Sequence, residues 1–307
     1  MSDLERITTT EGLRAAVSAA RFRGDRIGLV PTMGSLHVGH LSLVEMAADH
    51  ADTVVVSIFV NPTQFDRSDD LATYPRDLAG DEAALAGLGS GAPAIVFAPT
   101  VDEMYPRPPR TTVHVAGLTD HLCGATRPGH FDGVATVVTK LLHLATPDVA
   151  VFGRKDFQQL QVIRRLVADL DLSVRIVDAP TSREPDGLAR ASRNRRLTPT
   201  DRDAARVIPL ALRAAVLAAQ AARATGRDPD PAVLRASAGA VLATVPSLDL
   251  DYLEVVDAAT LAPVTGPPTP DRGLLVAVAA ALGSVRLIDN VEVGHADDER
   301  RLLEATA

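Results

Sequence analysis

The sequence predicts an α/β protein: a parallel sheet with helices on both faces, joined to a smaller α+β C-terminal domain. Three observations predict it. In the first half, short β-branched and apolar runs alternate with amphipathic helical stretches, the pattern of βαβ units. Thr53 to Val60 is one such run without a regular polar face, as a strand buried on both sides requires. Near Asp186-Gly187 the alternation stops, and alanine-rich helical stretches give way to strand-like segments.

The elements follow in order. Arg26-Ile27-Gly28-Leu29-Val30 reads as a short buried strand. From His37 or Val38 to His50 the chain reads as a helix, with Leu41, Val44 and Ala48 on one face. After the Thr53–Val60 strand, Asp77 to Leu88 reads as helical, Ala94 to Ala98 as a strand, and Thr111 to Val115 as a further short strand. Gly133 to Ala145 is amphipathic, with Val134, Val137, Val138, Leu141 and Leu142 on one side. Val149 to Phe152, Asp156 to Leu170 and Ser173 to Val177 read as strand, helix and strand. Ligands of such a sheet sit beyond the carboxyl ends of its strands. Thr198-Pro199 opens a helix expected to run unbroken to Thr225, since Pro suits a first helical position. Gly226 to Pro231 turns the chain and a second helix runs to Thr244. Tyr252–Val256, Leu274–Ala279 and Val285–Val293 are strand-like. The domains are expected to be residues 1–186 and 187–307.

Composition excludes several classes. The chain has 307 residues, 46% apolar and 23% charged, which rules out disorder as its main state. A net charge of −8 with no basic block disfavours duplex nucleic acid and anionic membrane surfaces. The longest apolar run, Leu274 to Leu282, is too short to span a bilayer. Met1 to Arg6 has neither a basic nor an apolar leader pattern, and Cys123 is the one cysteine. A cytoplasmic protein is therefore expected. Only two of the 31 basic residues are lysines, Lys140 and Lys155. A compact ammonium kept amid so much arginine marks both for attention.

Pro31-Thr32-Met33-Gly34-Ser35-Leu36-His37-Val38-Gly39-His40 joins a strand to a helix. Its glycines permit close backbone approach, and the helix start offers free N–H groups and a positive dipole end. His37 and His40 can share a face of the first turn and stabilise charge on a departing pyrophosphate. Two zinc ligands, or two surface histidines, are the rival readings, and the first lacks a clear third ligand. Asn61 and Gln64 fall at the carboxyl end of the Thr53–Val60 strand, although Asn61-Pro62 also suits a plain turn. Arg127-Pro128-Gly129-His130 reads either as a cationic loop closing on substrate or as a solvated loop. Gly153-Arg154-Lys155-Asp156 again joins strand to helix. Lys155 stands there against the helix dipole, which points to a phosphate contact, and Gln159 follows one turn later. Asp156 reads as a cap, a ribose ligand or a metal ligand. Arg183 to Arg196 gathers cations that either clamp a triphosphate or form a basic hinge. Gly87-Leu88-Gly89-Ser90-Gly91 follows a helix and precedes a strand, the reverse of a dinucleotide loop.

Together these motifs carry a resemblance. PTMGxLHxGH, SIFVNPxQF, YPR, RPGHFxGVxTVVxKL, FGxKDxQQL and RExDGLAxxSRN, in this order, resemble the pantoate–β-alanine ligase (pantothenate synthetase) family of the HxGH nucleotidylyltransferase superfamily. Asp251-Tyr252-Leu253-Glu254 and Arg286-Leu287-Ile288-Asp289-Asn290 extend it over nearly the whole chain. The resemblance implies a Rossmann-like ATP- and pantoate-binding domain over 1–186 and a C-terminal lid over 187–307, with the active site between them. It implies the condensation of (R)-pantoate with β-alanine through a pantoyl adenylate, with ATP as substrate, Mg²⁺ as its ion, and a homodimer. Met33 to His40 then matches the ATP loop, with His40 as general acid and His37 its companion. Gly153, Arg154, Lys155 and Asp156 match the nucleotide segment, with Lys155 on the phosphates. Ser182 matches an adenine contact made through backbone, and Arg190, Ala191, Ser192 and Arg193 match the segment over the triphosphate. Gln64 matches the glutamine serving pantoate and β-alanine and Gln159 the second pantoate glutamine; Asn61, Thr32, His130 and Arg127 are expected to bind the same substrates, and Asp81 falls near a magnesium-linked acid. The chain departs from the family at Thr63, where Met is usual, at Ser182, where Val is common, and at Arg190-Ala191, where an apolar residue and Ser are usual. Another HxGH transferase, or a silent nucleotide binder, is the competing reading. The acidic charge disfavours a tRNA-linked synthetase.

Overall fold

A computed structural model describes residues 4–66, 68–91, 93–264 and 273–306. Met1 to Asp3 of the N-terminal stretch lie outside them. Two compact units divide the chain, one of residues 1–116, 127–154 and 159–179, the other of 117–126, 155–158 and 180–307.

The first unit is built on a six-stranded parallel sheet: β1 Glu5–Ile7, β2 Ile27–Thr32, β3 Thr53–Ile58, β4 Ile95–Phe97, β5 Val149–Gly153 and β6 Arg175–Ala179. Their order is β1-β4-β3-β2-β5-β6. The helices that begin in it are α1 Thr10–Phe22, α2 Val38–Ala48, α3 Ser68–Thr73, α4 Leu78–Ala86 and α5 Val101–Met104. α6 Leu122–Thr126 belongs to the second unit; α7 His130–Ala145 returns to the first, and α8 Phe157–Asp169 follows β5. Val54, Val55 and Val56 are all buried, so β3 has no wet face, as its composition requires. Val30, Val54, Val56, Val96, Val149 and Val151 form one core with Val44 and Ala47 of α2 and Leu85 of α4. β2 and β3 pair in register from Ile27↔Thr53 to Thr32↔Ile58, so their carboxyl ends lie side by side.

The second unit holds an antiparallel sheet, β7 Asp249–Asp257, β8 Leu274–Leu282 and β9 Val285–Val293, in that order. Its helices are α9 Pro199–Ala204, α10 Val207–Ala224, α11 Pro231–Leu242 and α12 Ala296–Ala305. Ile208, Leu212, Val216, Leu234, Val276, Val278, Val291 and Leu302 make its core. The stretch 199–224 has the length and hydropathy of a membrane span, yet half of it is buried in this core.

Three expectations need correction, and some elements were not anticipated. Thr111 to Val115 forms no strand: Pro106, Pro108 and Pro109 precede it, and the Val113 N–H bonds the Thr136 hydroxyl instead of a neighbouring strand. The helix from Thr198 breaks between Ala204 and Val207, because Pro209 has no N–H for the Ala205 carbonyl. Lys155 and Asp156 lie in a 3₁₀ turn ahead of α8. Finally, β1, α1, α3, α5, α6 and α12 have no counterpart in the sequence reading. Three residues are too few for a period, and α12 is marked chiefly by its cap, His295, and its acidic first turn.

Candidate functional site

Thr32 closes β2, with its hydroxyl donating to the Ser57 carbonyl of β3 at 2.8 Å and accepting from Gly34 N–H at 3.2 Å. Gly34 takes φ 80°, and a Cβ there would stand 2.9 Å from Asp81 Oδ2. Ser35 also adopts the left-handed region, at φ 52°, unusual for a residue with a side chain. Asp81 of α4 holds this shape: its carboxylate accepts from Ser35 N–H at 2.9 Å and Leu36 N–H at 2.6 Å, and it is only 4% exposed. His37 then caps α2 in an extended conformation without a side-chain cap bond. No acidic residue occupies the first turn of α2 itself, and the nearest acid described above, Asp81, is engaged with the loop N–H groups just before the cap. The rings of His37 and His40 stack with centroids 4.0 Å apart, next to the exposed Val38 and the half-buried Gly39. Backbone donors and imidazoles thus meet at one helix start, an arrangement suited to phosphate oxygens.

Beside it lies an amide cluster. Pro62–Gln64 forms a 3₁₀ turn capped by Asn61. Asn61 Nδ2 donates to Gln64 Oε1 and to the Gly133 carbonyl, and Asn61 Oδ1 accepts from the hydroxyls of Thr63 and Tyr105. Gln64 Nε2 points at Met33 Sδ, 3.3 Å away. The Gln64 carbonyl accepts from His130 Nδ1 at 2.7 Å, while Arg127 Nη1 stands 3.3 Å from His130 Nε2. A neutral His130 with its proton on Nδ1 meets both partners. Arg127 also pairs with Asp66 at 2.7 Å. Burial pushes the Asp66 carboxyl up, but the Arg127 bond and charge outweigh this and hold it below the ordinary carboxylate value. Gly133 lets α7 reach the turn: a Cβ there would lie 2.4 Å from the Thr63 carbonyl. Asn61, His130 and Arg127 thus spend polar atoms on protein partners, and Gln64 presents its NH₂.

At the end of β5 the Arg154 guanidinium is buried against Asp178 at 2.6 Å, so the side chain is structural. Asp178 is pushed up by burial but held low overall by Arg154 and Arg164. Open space surrounds the position a Gly153 Cβ would take. Lys155 keeps its ammonium 3.9 Å from Asp156 Oδ2, and Asn290 donates to the Lys155 carbonyl at 2.8 Å. The two glutamines of α8 divide their work. Gln158 is buried and donates to the carbonyls of Leu118 and His121, whereas Gln159 is half-buried.

In the segment that begins at Ser182, the Ser182 carbonyl accepts from Arg190 N–H at 2.9 Å. Arg183 makes a bidentate pair with Asp289, at 2.7 and 3.1 Å. Arg190 is held by Glu184 at 2.8 Å and donates to the Arg183 carbonyl. Ala191 starts the 3₁₀ turn Ser192–Arg196 from an extended backbone, with no side-chain cap. The cations expected as a clamp are therefore already balanced by acids at Arg183 and Arg190.

Sequence reasoning missed Tyr105 and Asn290. Tyr105 meets a residue 44 positions away, beyond the reach of any local spacing, and Asn290 shows only through the RLIDN likeness.

The model of the family described as pantoate–β-alanine ligase matches residues 5–292. The chain belongs to the pantoate–β-alanine ligase family. Its activity is the AMP-forming, ATP-dependent condensation of (R)-pantoate with β-alanine to pantothenate, by way of pantoyl adenylate and with release of pyrophosphate. The chain is 52% identical to the pantothenate synthetase of Pseudomonas aeruginosa over 293 residues, covering 95% of this chain and 99% of the relative. The crystal structure of a Thermus thermophilus pantothenate synthetase matches with a TM-score of 0.84 at 43% identity, over 94% of this chain and 99% of that one. A Francisella tularensis pantoate–β-alanine ligase, complexed with a β,γ-ATP ligand and β-alanine, matches with a TM-score of 0.73 at 31% identity, over 94% and 97%. The parallel sheet with its flanking helices and the smaller C-terminal sheet are the ligase fold.

Proposed function

We propose that the family's reaction runs here on a division of roles among the residues above. A carboxylate resists attack by an amine until its oxygen sits on a phosphate leaving group. The first step therefore needs positive groups around the phosphates of ATP rather than a protein nucleophile, and Cys123 has no part in it. His37 and His40, with the N–H groups of Met33 to Gly39, receive the phosphates and stabilise the leaving pyrophosphate. Lys155 supplies a point charge to the same phosphates, and Gly153 and Asp156 flank it at the nucleotide. Gln64 and Gln159 hold pantoate and then β-alanine, and Thr32, Asn61, His130 and Arg127 hold the frame around Gln64. Ser182 and Arg190 to Arg193 serve the adenine and triphosphate. The observation that carries this reading is the α2 start, where a loop locked by Asp81 meets two stacked imidazoles and a first helical turn without an acid.

No three His, Cys, Asp or Glu side chains gather among the described residues, and both Asp81 oxygens already hold loop amides. Mg²⁺ accordingly enters with ATP as part of the substrate, and no step is drawn through a protein-held ion. A cytoplasmic homodimer that binds neither nucleic acid nor membrane, with ATP and pantoate binding in residues 1–186 and a C-terminal lid over 187–307, completes the proposal.

Pyrophosphate release from Mg-ATP and pantoate, with and without β-alanine, tests it. Pyrophosphate should form with pantoate alone, and AMP with pantothenate only after β-alanine is added. His40→Ala and Lys155→Ala should slow the first step by about 10²–10³-fold. Pyrophosphate formation at the wild-type rate in both variants would overturn the assignment.

A further inference from the structure

Asn61 is 1% exposed, and each polar atom of its amide has a protein partner. Its Nδ2 donates to Gln64 Oε1 at 3.0 Å and to the Gly133 carbonyl at 3.1 Å. Its Oδ1 accepts from the Tyr105 hydroxyl at 2.9 Å and the Thr63 hydroxyl at 3.0 Å. A carboxamide has one accepting and one donating end. Turned over, Asn61 would set its oxygen against two other oxygens, so its partners decide its orientation. That orientation is passed on. With Oε1 engaged, Gln64 directs Nε2 toward Met33 Sδ, a weak acceptor that a ligand oxygen displaces readily.

We propose that Tyr105 and Thr63 are positioning residues of this ligase: acting through Asn61, they fix Gln64 so that it offers an N–H donor, and not a carbonyl, to the acid substrate. The inference rests on the reading of Gln64 as a pantoate group and deepens it. The chemistry recognised at this point is an accepting oxygen, carboxylate or hydroxyl. Burial pushes the Tyr105 phenol above its ordinary value, so it stays a donor throughout the neutral range. The Lys140 ammonium rests over the Tyr105 ring, 5.5 Å from its centre, which gives one of the two lysines a task. Where the family usually has Met, Thr63 places a second hydroxyl on the same Asn61 oxygen. The two hydroxyls support each other, so losing both should cost more than the two single losses combined.

Steady-state pyrophosphate release tests this, with pantoate varied at saturating Mg-ATP and the reverse, for Tyr105→Phe, Thr63→Val, Thr63→Ser, the Phe/Val double variant and Gln64→Glu. Each single loss of a hydroxyl should raise the pantoate KM about three- to tenfold. The double variant should exceed the product of the two, and Thr63→Ser should behave as wild type. The ATP KM should stay within about twofold throughout, since no phosphate donor is touched. A double variant with wild-type pantoate KM, beside a Gln64→Glu variant whose pantoate KM rises, would overturn the positioning role and leave Gln64 in place. Equal increases in both KM values would overturn it too, by showing a merely structural effect. If Gln64→Glu itself leaves pantoate KM unchanged, the reading of Gln64 falls and the inference falls with it.

Discussion

The loop from Met33 to His37 and the segment from Ser182 to Arg196 are both assigned to phosphates, and they are built in opposite ways. The loop is held by one buried carboxylate, Asp81, which grips two backbone N–H groups while Gly34 and Ser35 take left-handed conformations. Its donors are main-chain groups and imidazoles in fixed directions. The segment is tied by side-chain ion pairs, Arg183 to Asp289, Arg190 to Glu184 and Arg202 to Asp186. Arg183 and Arg190 already have acid partners, so a phosphate must exchange with Glu184 to engage Arg190. The first region is fixed by backbone contacts, and under the proposed assignment the second would have to trade ion-pair contacts for a phosphate. Preorganised dipoles act without reorganisation at the moment of reaction, which is why the proposal places the chemistry at the loop.

Asp81→Ala should break the comparison most severely. It leaves the Ser35 and Leu36 N–H groups unpaired in a buried site, at about 1–3 kcal/mol each. Thermal unfolding should fall by about 5 °C or more. Pyrophosphate formation should fall on the order of a hundredfold. Wild-type values in both measurements would show that the loop keeps its shape without the carboxylate.

Acid should separate the regions next. Asp186 is held below the ordinary carboxylate value, first by its hydrogen bond from Arg202, against the opposing effect of burial. A depressed folded pKa gives stability that is complete above the unfolded value and lost as pH falls through the folded one. For Asp186 that window opens below about pH 4. Unfolding followed from pH 6 downward should show a shallower acid limb in Asp186→Asn than in wild type. Superimposable limbs would remove Asp186 from the account of how the segment is anchored.

The smallest effect is expected at Arg190. Its pair with Glu184 is partly exposed, so Arg190→Ala should change stability by less than about 1 kcal/mol. The ATP KM should rise about two- to fivefold, and Glu184→Gln, by releasing the guanidinium, should lower it. Isothermal titration with a non-hydrolysable ATP analogue reads both. Opposite signs would confirm the trade of partners, and unchanged affinity in both variants would place Arg190 outside the nucleotide site.

Much of this architecture was legible in the residues. β3 could be read because three consecutive buried valines have only one common explanation, a strand covered on both faces. The loop before α2 could be read because glycines, histidines and a strand-to-helix junction fall together within ten residues. What escaped depends on separation in sequence. The pairing of Asp81 with Ser35 and Leu36 spans 46 and 45 positions, and that of Tyr105 with Asn61 spans 44. Neither leaves a local pattern. The break at Ala205 was local but was masked by composition, since an alanine-rich stretch reads as one helix until Pro209 is checked against the carbonyl four residues earlier. What the sequence could not show at Arg154, one of the residues matched to the nucleotide segment, is that its guanidinium is buried against Asp178.

Gly133 has a further meaning for anyone who would engineer this protein. It lies in the first turns of a sixteen-residue helix, where replacing glycine with alanine ordinarily gains about 1 kcal/mol of helix propensity and is among the first choices of a thermostabilisation campaign. Here the helix forgoes that gain so that its backbone can lie against the Thr63 carbonyl and the Gln64 amide. The vacancy at Cβ is what brings the turn to its place. A helix optimised for its own stability would push aside Gln64, the residue proposed to meet the substrate, so at this position robustness and the proposed activity draw on the same few cubic ångströms.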